Sequence, residues 1–234
     1  MTHGVLGTWR LCTKGGDRQG RLRVCMRVAP GHTWLSHQGN RWAVGTPAGW
    51  RGRPKGFHVD HHYCPGWNGL SEANIQTGIS ALQSAGADLC IFAPHWGKEG
   101  SYQVSPNQEA FARMAIDAGA QIVCGTHPHV LQRVEEYNGG YIFYSLGNWS
   151  FGGNTSPRDR DTAIAQIKLL LQKGGSYVIN GYDLIPCCLS STAGSNDFRP
   201  ITYEADTAEY TRTISKLDGS FSGPDLNVDY SFLN

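Results

Sequence analysis

Two copies of one unit constrain this chain more than any other feature. Ala85-Gly86-Ala87-Asp88-Leu89 leads through Cys90, Ile91 and Phe92 to His95, and Ala118-Gly119-Ala120-Gln121-Ile122 leads through Val123 and Cys124 to His127. Each unit reads as a helix end, a glycine stop, a short apolar strand and a histidine. Successive helix–strand steps predict neighbouring parallel strands joined by right-handed crossovers. In an open α/β sheet, ligands bind in the crevice outside the carboxyl ends of the strands, and both histidines fall there.

The helices carry their own start and stop signals. Ser105-Pro106-Asn107-Gln108 offers an N-cap, a proline at the first helical position and a glutamine at the capping-box site. Phe111, Met114, Ala115 and Ala118 follow at i, i+3, i+4 and i+7, which predicts one apolar face, and Gly119 suits the left-handed position after the helix. In the preceding helix Ser71 is the cap, Ile75, Ile79 and Leu82 line a face, and Gly86 is the stop. Gly78 within it costs about 1 kcal/mol relative to alanine.

Beyond residue 70 the chain has three histidines, His95, His127 and His129. Pro128 restricts its own φ and biases His127 toward extended backbone. Two imidazoles spaced i, i+2 on extended backbone share a face, and imidazole is a common ligand for borderline divalent metals. A His-x-His pair alone is weak evidence; the repeated strand-end placement strengthens it.

Charge and composition divide the chain at residue 70. Residues 1–70 hold ten Lys/Arg against two acids, and residues 71–234 hold ten against seventeen, so a net charge of +1 hides +8 and −7. The first segment has no Ile or Glu but five of seven Trp, six of nine His and thirteen of thirty Gly. No helical or strand period runs through it, and Leu22 to Val28 is its one plausible strand. Residues 1–70 therefore read as an atypical basic, Gly/Trp/Arg-rich, poorly folded segment. A disordered arm or out-of-frame translation would have this composition. Nucleic-acid binding by such an arm is not the expected function, because its Arg and Trp lie on no identifiable element. Within it, His58-Val59-Asp60-His61-His62 resembles a ligand cluster, but nothing in the pattern holds it in place. Gly16-Asp17 follows no apolar strand.

Seven cysteines without a Cys-x-x-Cys pair, two of them adjacent at Cys187-Cys188, indicate neither a disulfide framework nor a cysteine zinc site. Cys90 and Cys124 read as buried thiols. There is no signal-peptide core and no apolar run of the roughly 18 residues a membrane span needs.

After the histidines, Leu131 to Tyr137 and Tyr141 to Leu146 predict a hairpin around Asn138-Gly139-Gly140. Ser145-Leu146-Gly147-Asn148 is a polar turn, where Asn148 is either a turn former or a residue facing the histidines. Ala163, Ala165, Ile167, Leu169 and Leu171 alternate along a third strand, and Lys173-Gly174-Gly175 turns into Tyr177 to Ile185. Tyr203, Thr207, Tyr210, Ile214 and Leu217 form a helical stripe that reads as core packing.

Taken together, His95-Trp96-Gly97, Gly125-Thr126-His127-Pro128-His129-Val130-Leu131-Gln132 and Tyr144-Ser145-Leu146-Gly147-Asn148 resemble the C-terminal portion of the CapA family. This is the poly-γ-glutamate capsule biosynthesis family related to calcineurin-like metallophosphoesterases. The resemblance is strong over residues 72 to about 151 and looser to Asn234. It implies an α/β fold, a partial metallophosphoesterase-like sandwich of two β-sheets flanked by helices, formed by residues 71–234. It also implies a site of manganese, iron or zinc with His95, His127 and His129 as ligands. Such ions polarise a phosphoryl oxygen and generate hydroxide near neutral pH. The family's opening strand with Gly-Asp and its Asn-Asn-His-type motif are not recognisable here, so the expected site is partial unless Asp60 or another chain completes it.

Two functions follow from the resemblance. One is a metal-dependent phosphoesterase-like enzyme acting on a capsule polymer or a small phosphate-containing substrate at the bacterial cell surface. The other is a non-catalytic fragment or binding module beside a membrane ligase and exporter. Lys98 and Arg133, close after His95 and His129, are candidate contacts for an anionic substrate, with Asn148 at the rim. Glu99, Glu109 and Asp117 are nearby acids that read as solvated charges.

Overall fold

The computed structural model describes residues 70–84, 87, 89–149, 155–172 and 177–228, together with the backbone of five strands nearer the start. Those strands are β1 (Gly7–Trp9), β2 (Cys12–Lys14), β3 (Arg21–Met26), β4 (Val28–Pro30) and β5 (Trp42–Gly45). The His58–His62 cluster, Gly16-Asp17 and the turn at 173–175 lie outside the described residues.

The helices and strands of the repeated unit form as its pattern predicts, while the predicted stop at Gly86 lies outside the described residues. Helix α1 (Glu72–Ser84) buries Ile75, Ile79 and Leu82, and Ser71 Oγ accepts from the Asn74 amide at its start. Strand β6 (Leu89–Phe92) follows. Helix α2 (Pro106–Asp117) opens with the full capping box between Ser105 and Gln108, and Gly119 takes a left-handed φ of 106° just after its end. It leads into β7 (Ile122–Cys124). The buried face of α2 differs from the expected one. Gln108, Ala112, Ala115 and Ile116 are buried, while Phe111 and Met114 pack at its margin. Small Ala112 and Ala115 let the helix approach the sheet, and Gln108 is buried because its amide donates to Gln132 Oε1 at 2.8 Å.

Strands β8 (Val134–Tyr137) and β9 (Gly140–Phe143) form the expected hairpin, with Asn138 and Gly139 both at positive φ. β8 is shorter than the apolar run suggested, since Leu131 makes only an isolated bridge to Leu146. In the five-stranded sheet β5-β6-β7-β9-β8, all neighbours are parallel except the β8–β9 hairpin. A second sheet runs β12-β11-β10-β3-β2 and is antiparallel throughout, built on β10 (Asp161–Leu171) and β11 (Tyr177–Cys188), with β12 (Ile201–Thr202) at one edge.

Alternation along the parallel strands divides the core in two. Ile91, Ile122, Cys124 and Phe143 face the antiparallel sheet, where Ala163, Ala165, Ile167 and Leu169 meet them. Phe92, Val123, Ile142 and Tyr144 face α1 and α2. Burial on both faces explains the nearly continuous apolar runs of β6 and β7. Two sheets packed face to face, with helices on the outer face of one, match the expected sandwich, but β2, β3 and β5 from residues 1–70 join its sheets, which the sequence pattern assigns to residues 71–234 alone. Cys90 and Cys124 are buried within it, and burial pushes both thiols up.

The last helix, α3 (Ala208–Asp218), begins at Thr207, whose Oγ1 accepts from the Tyr210 amide. Its buried face is Thr213, Lys216 and Leu217, so of the predicted stripe only Leu217 is fully buried. Lys216 is 4% exposed, and its Nζ donates at 2.7 Å to both Asp159 and Asp161. Arg212 donates twice to Asp161, at 2.7 and 2.8 Å, and Tyr203 Oη donates to it at 2.9 Å. A buried lysine without such partners would be far too costly to retain charged.

Burial alone would raise the Asp161 pKa, but hydrogen bonds from Arg212 and Lys216, with their charges, outweigh it and hold the carboxyl below its ordinary value of 3.8. Because the folded value is depressed, this contribution to stability is complete above the unfolded pKa and disappears as pH falls through the folded one. Lys216→Ala leaves Asp159 without its cation while Asp161 keeps Arg212, and costs about 3 kcal/mol, measured by urea denaturation at neutral pH. Asp161→Asn flattens the loss of stability below pH 3.8, measured in the same way along an acid series.

Candidate functional site

Strands β6, β7 and β9 lie side by side and parallel, so their carboxyl ends open onto one edge of the sheet. His95 follows β6, His127 and His129 follow β7, and Asn148 follows β9. The loops are joined before any ligand is considered. Trp96 N–H donates to Thr126 O at 3.1 Å, Thr126 N–H donates to Pro94 O at 3.0 Å, and Gly100 N–H donates to Pro128 O at 2.8 Å. Trp96 Nε1 donates to Tyr144 O at 3.0 Å, with the two rings stacked. Gly125 sits in the middle of this junction, and a Cβ there would collide with the Tyr144 carbonyl oxygen and the Trp96 indole. That is the physical need for glycine in Gly125-Thr126-His127.

The three imidazoles lie in adjoining loops, but not on the expected backbone. His127 has φ 100° and His129 φ 58°, both left-handed rather than extended. Three tertiary hydrogen bonds account for the difference. Thr126 is tied to β6's loop, the Pro128 carbonyl to Gly100, and the Val130 carbonyl to Ser145 Oγ at 2.7 Å. Together they fold residues 126–130 into bends and override the local bias set by Pro128. The His95 and His127 ring centroids lie 4.6 Å apart, and those of His127 and His129 lie 6.1 Å apart.

Hydrogen bonds fix the tautomers. His129 Nδ1 lies 2.6 Å from Asn148 Oδ1, an oxygen that only accepts, so in the neutral ring Nδ1 carries the proton and Nε2 the lone pair. Asn148 is buried and also donates from Nδ2 to the His129 carbonyl at 3.2 Å. Asn148 is therefore His129's orienting partner rather than a simple turn former. His95 Nδ1 lies 3.2 Å from Thr126 Oγ1, whose own hydrogen goes to Pro94 O, so it too leaves a lone pair on Nε2. Although His95 touches solvent, burial and the neighbouring His127 and His129 push it down to about 4. Burial and His129 also lower His127, against an opposing pull from Glu99. At neutral pH, His95 and His127 are thus uncharged.

Neutral imidazoles whose other nitrogens are held by oxygen partners are the donor chemistry of a divalent metal centre. Zinc–nitrogen bonds are about 2.0–2.1 Å, so two rings sharing one ion have centroids no more than about 6.5 Å apart. Both histidine pairs meet that limit. Among the described residues, however, no three His, Cys, Asp or Glu side chains come together as a ready ligand set. His95 and His127 stand closest together, and the third ring stands farther from His127 than His95 does.

The other expected residues fall differently. Lys98 is exposed in the loop after His95. Arg133 is committed elsewhere: it pairs with Glu135 at 2.7 Å and Glu109 at 3.5 Å, and covers the Tyr144 ring at 4.9 Å. Tyr144 Oη donates to the same Glu135. Thr126 lay inside the quoted motif, but its role depends on a loop 31 residues away. Gln132 donates to the carbonyls of Ser101 and Gln103, both at 3.0 Å, and so ties the loop after His95 to the strand after His129. Its signal was its place three residues after His129, with no local pattern to reveal the partners.

An α/β sandwich with histidines at adjoining parallel strand ends defines the structural class. Residues 28–152 match the family model described as bacterial capsule synthesis protein PGA_cap, and the chain belongs to that family. The match begins inside the segment that composition set apart and ends just beyond Asn148. Over 130 residues the chain is 39% identical to the capsule biosynthesis protein CapA of Bacillus anthracis, covering 56% of this chain and 29% of that protein. It is 41% identical over 98 residues to the PGA biosynthesis protein CapA of Bacillus subtilis strain 168, covering 42% and 26%. A probable polyglutamine synthesis accessory protein of Mycobacterium tuberculosis is 38% identical over 61 residues, covering 26% and 16%. The aligned part spans less than a third of each of these relatives.

The left-handed φ at His127 makes a test of the loop geometry. In ordinary backbone alanine is the more stabilising residue, but at φ 100° the order reverses. His127→Gly is expected to be more stable than His127→Ala by about 1 kcal/mol, read from paired denaturation curves.

Proposed function

We propose that His95, His127 and His129 hold a divalent cation, and that this domain belongs to a metal-dependent phosphoesterase-like hydrolase of capsule or cell-surface polymer assembly. The observation that supports the reading is the convergence of His95 and His127 with His129, where Thr126 and Asn148 leave Nε2 lone pairs on two rings. Manganese, iron and zinc all suit imidazole donors. Such an ion supplies Lewis acidity toward a phosphoryl oxygen and toward water.

The chain's own residues divide the remaining work. Thr126 orients His95, and Asn148 orients His129. Lys98, exposed in the loop beyond His95, offers a cation to the phosphate or carboxylate of a polymer or small substrate. Arg133 instead braces Glu135 and Tyr144 behind the loops. Capsule polymer or a small phosphate ester is the proposed substrate, membrane ligase and exporter components are the proposed partners, and the cell surface is the proposed location. Among the described residues, no helix is long and apolar enough to cross a membrane.

A second reading, a non-catalytic binding module of the same assembly, is favoured by the lack of a ready three-residue ligand set among the described residues. Metal analysis separates the two. The hydrolase reading expects purified chain to retain divalent metal in stoichiometric amount, His127→Ala and His129→Ala to lose it, and Asn148→Ala to bind about 10–100-fold more weakly. Hydrolysis of a chromogenic phosphate monoester is expected to follow metal content across these variants. Chain that retains no metal when purified without chelator supports the binding module.

A further inference from the structure

The segment after α3, residues 219–228, crosses the loop that follows His95 and fastens to it at several points. Leu226 N–H donates to Gly100 O at 2.9 Å, and the Tyr102 amide donates to Asp225 Oδ1 at 2.9 Å. The Phe221 ring packs on the Tyr102 ring with centroids 4.7 Å apart. Tyr102 Oη donates to Asp159 Oδ2 at 2.9 Å, the carboxylate that also receives Lys216.

Gly100 is the central link. Its carbonyl accepts from Leu226, and its own N–H donates to the carbonyl of Pro128, the residue between His127 and His129. The fit is close, because a Cβ on Gly100 would lie 2.8 Å from the Leu226 carbonyl oxygen. One residue therefore connects the C-terminal segment to the histidine bend by two backbone hydrogen bonds. The bend needs such support, since His127 and His129 hold left-handed backbone that their side chains disfavour.

We infer that residues 219–228 act as a positioning strap for the histidine loops, with Asp225 and Leu226 fixing Gly100 and, through it, the bend at His127–His129. The consequence for metal affinity rests on the proposed metal reading, whereas the consequence for loop order does not. Removing the strap's bonds leaves both cores intact, because Asp225 and Leu226 belong to neither.

The test uses the full chain and its Asp225→Ala, Leu226→Pro and Asp225→Asn variants. Leu226→Pro removes the N–H that reaches Gly100, and Asp225→Asn keeps an acceptor at Oδ1. In metal-free protein, amide hydrogen exchange at residues 125–130 is expected to quicken about tenfold in Asp225→Ala and Leu226→Pro, the effect on local opening of losing roughly one hydrogen bond. Asp225→Asn is expected to restore protection. In zinc titrations the same two variants are expected to bind about tenfold more weakly than the parent, and Asp225→Asn is expected to match it. Exchange unchanged in both disrupting variants overturns the strap, whatever the zinc result. Zinc binding absent from the parent chain overturns the metal reading, while the exchange result still decides the strap. Zinc affinity unchanged despite faster exchange overturns the strap's role in ligand positioning.

Discussion

Parallel pairing of β6, β7 and β9 is the constraint from which the site follows. Side-by-side parallel strands bring three carboxyl ends to one edge, and each end delivers polar side chains to the same small volume. The packing that holds those strands is apolar and two-sided, with Ile91, Ile122 and Phe143 against the second sheet and Phe92, Val123 and Ile142 against the helices. At the strand ends the apolar core gives way to fixed hydrogen bonds, and Trp96 reaching Tyr144 over Gly125 marks the change. Without a close approach at Gly125, the loops of His95 and His127 would separate.

Electrostatics then divides the molecule into two polar regions of opposite kind. In the histidine cluster, burial and mutual repulsion disfavour protonation of His95 and His127. The cluster around Lys216 is built of ion pairs, with Lys216 bridging Asp159 and Asp161, Arg212 pairing with Asp161, and Tyr102 and Tyr203 donating to the carboxylates. The first arrangement favours neutral rings at His95 and His127. The second locks α3 onto β10. A polar cleft of about 260 Å³ lined by Tyr102, Glu109, Arg133, Lys216 and Phe221 lies beside the charged cluster, and its cations are already paired.

Much of this was legible wherever the determinants are local. The Ser105–Gln108 capping box, the stripe of Ile75, Ile79 and Leu82, the Asn138-Gly139 turn and the alternation of Ala163 to Leu169 all work within a few residues, and each appears as read. The misreadings have one physical source, which is contacts made across long stretches of chain. Lys216 is buried because Asp159 and Asp161, more than fifty residues earlier, receive it. His127 departs from extended backbone because Gly100 and Pro94 hold its neighbours. Arg133 looked available to substrate until Glu135, Glu109 and Tyr144 closed around it. Strand-end placement repeats for His95 and His127 and drew attention to them, whereas Thr126 and the strap had no repeat to reveal them.

The central claim is that separate loops present imidazole nitrogens to a common ion. X-ray absorption on zinc-loaded chain addresses it directly, because imidazole rings give multiple-scattering features that oxygen ligands lack. The account predicts at least two imidazole nitrogens at about 2.0–2.1 Å from zinc, and their loss when His95, His127 and His129 are all replaced by alanine. A first shell of oxygen alone, or an imidazole signal that survives the triple replacement, would contradict it.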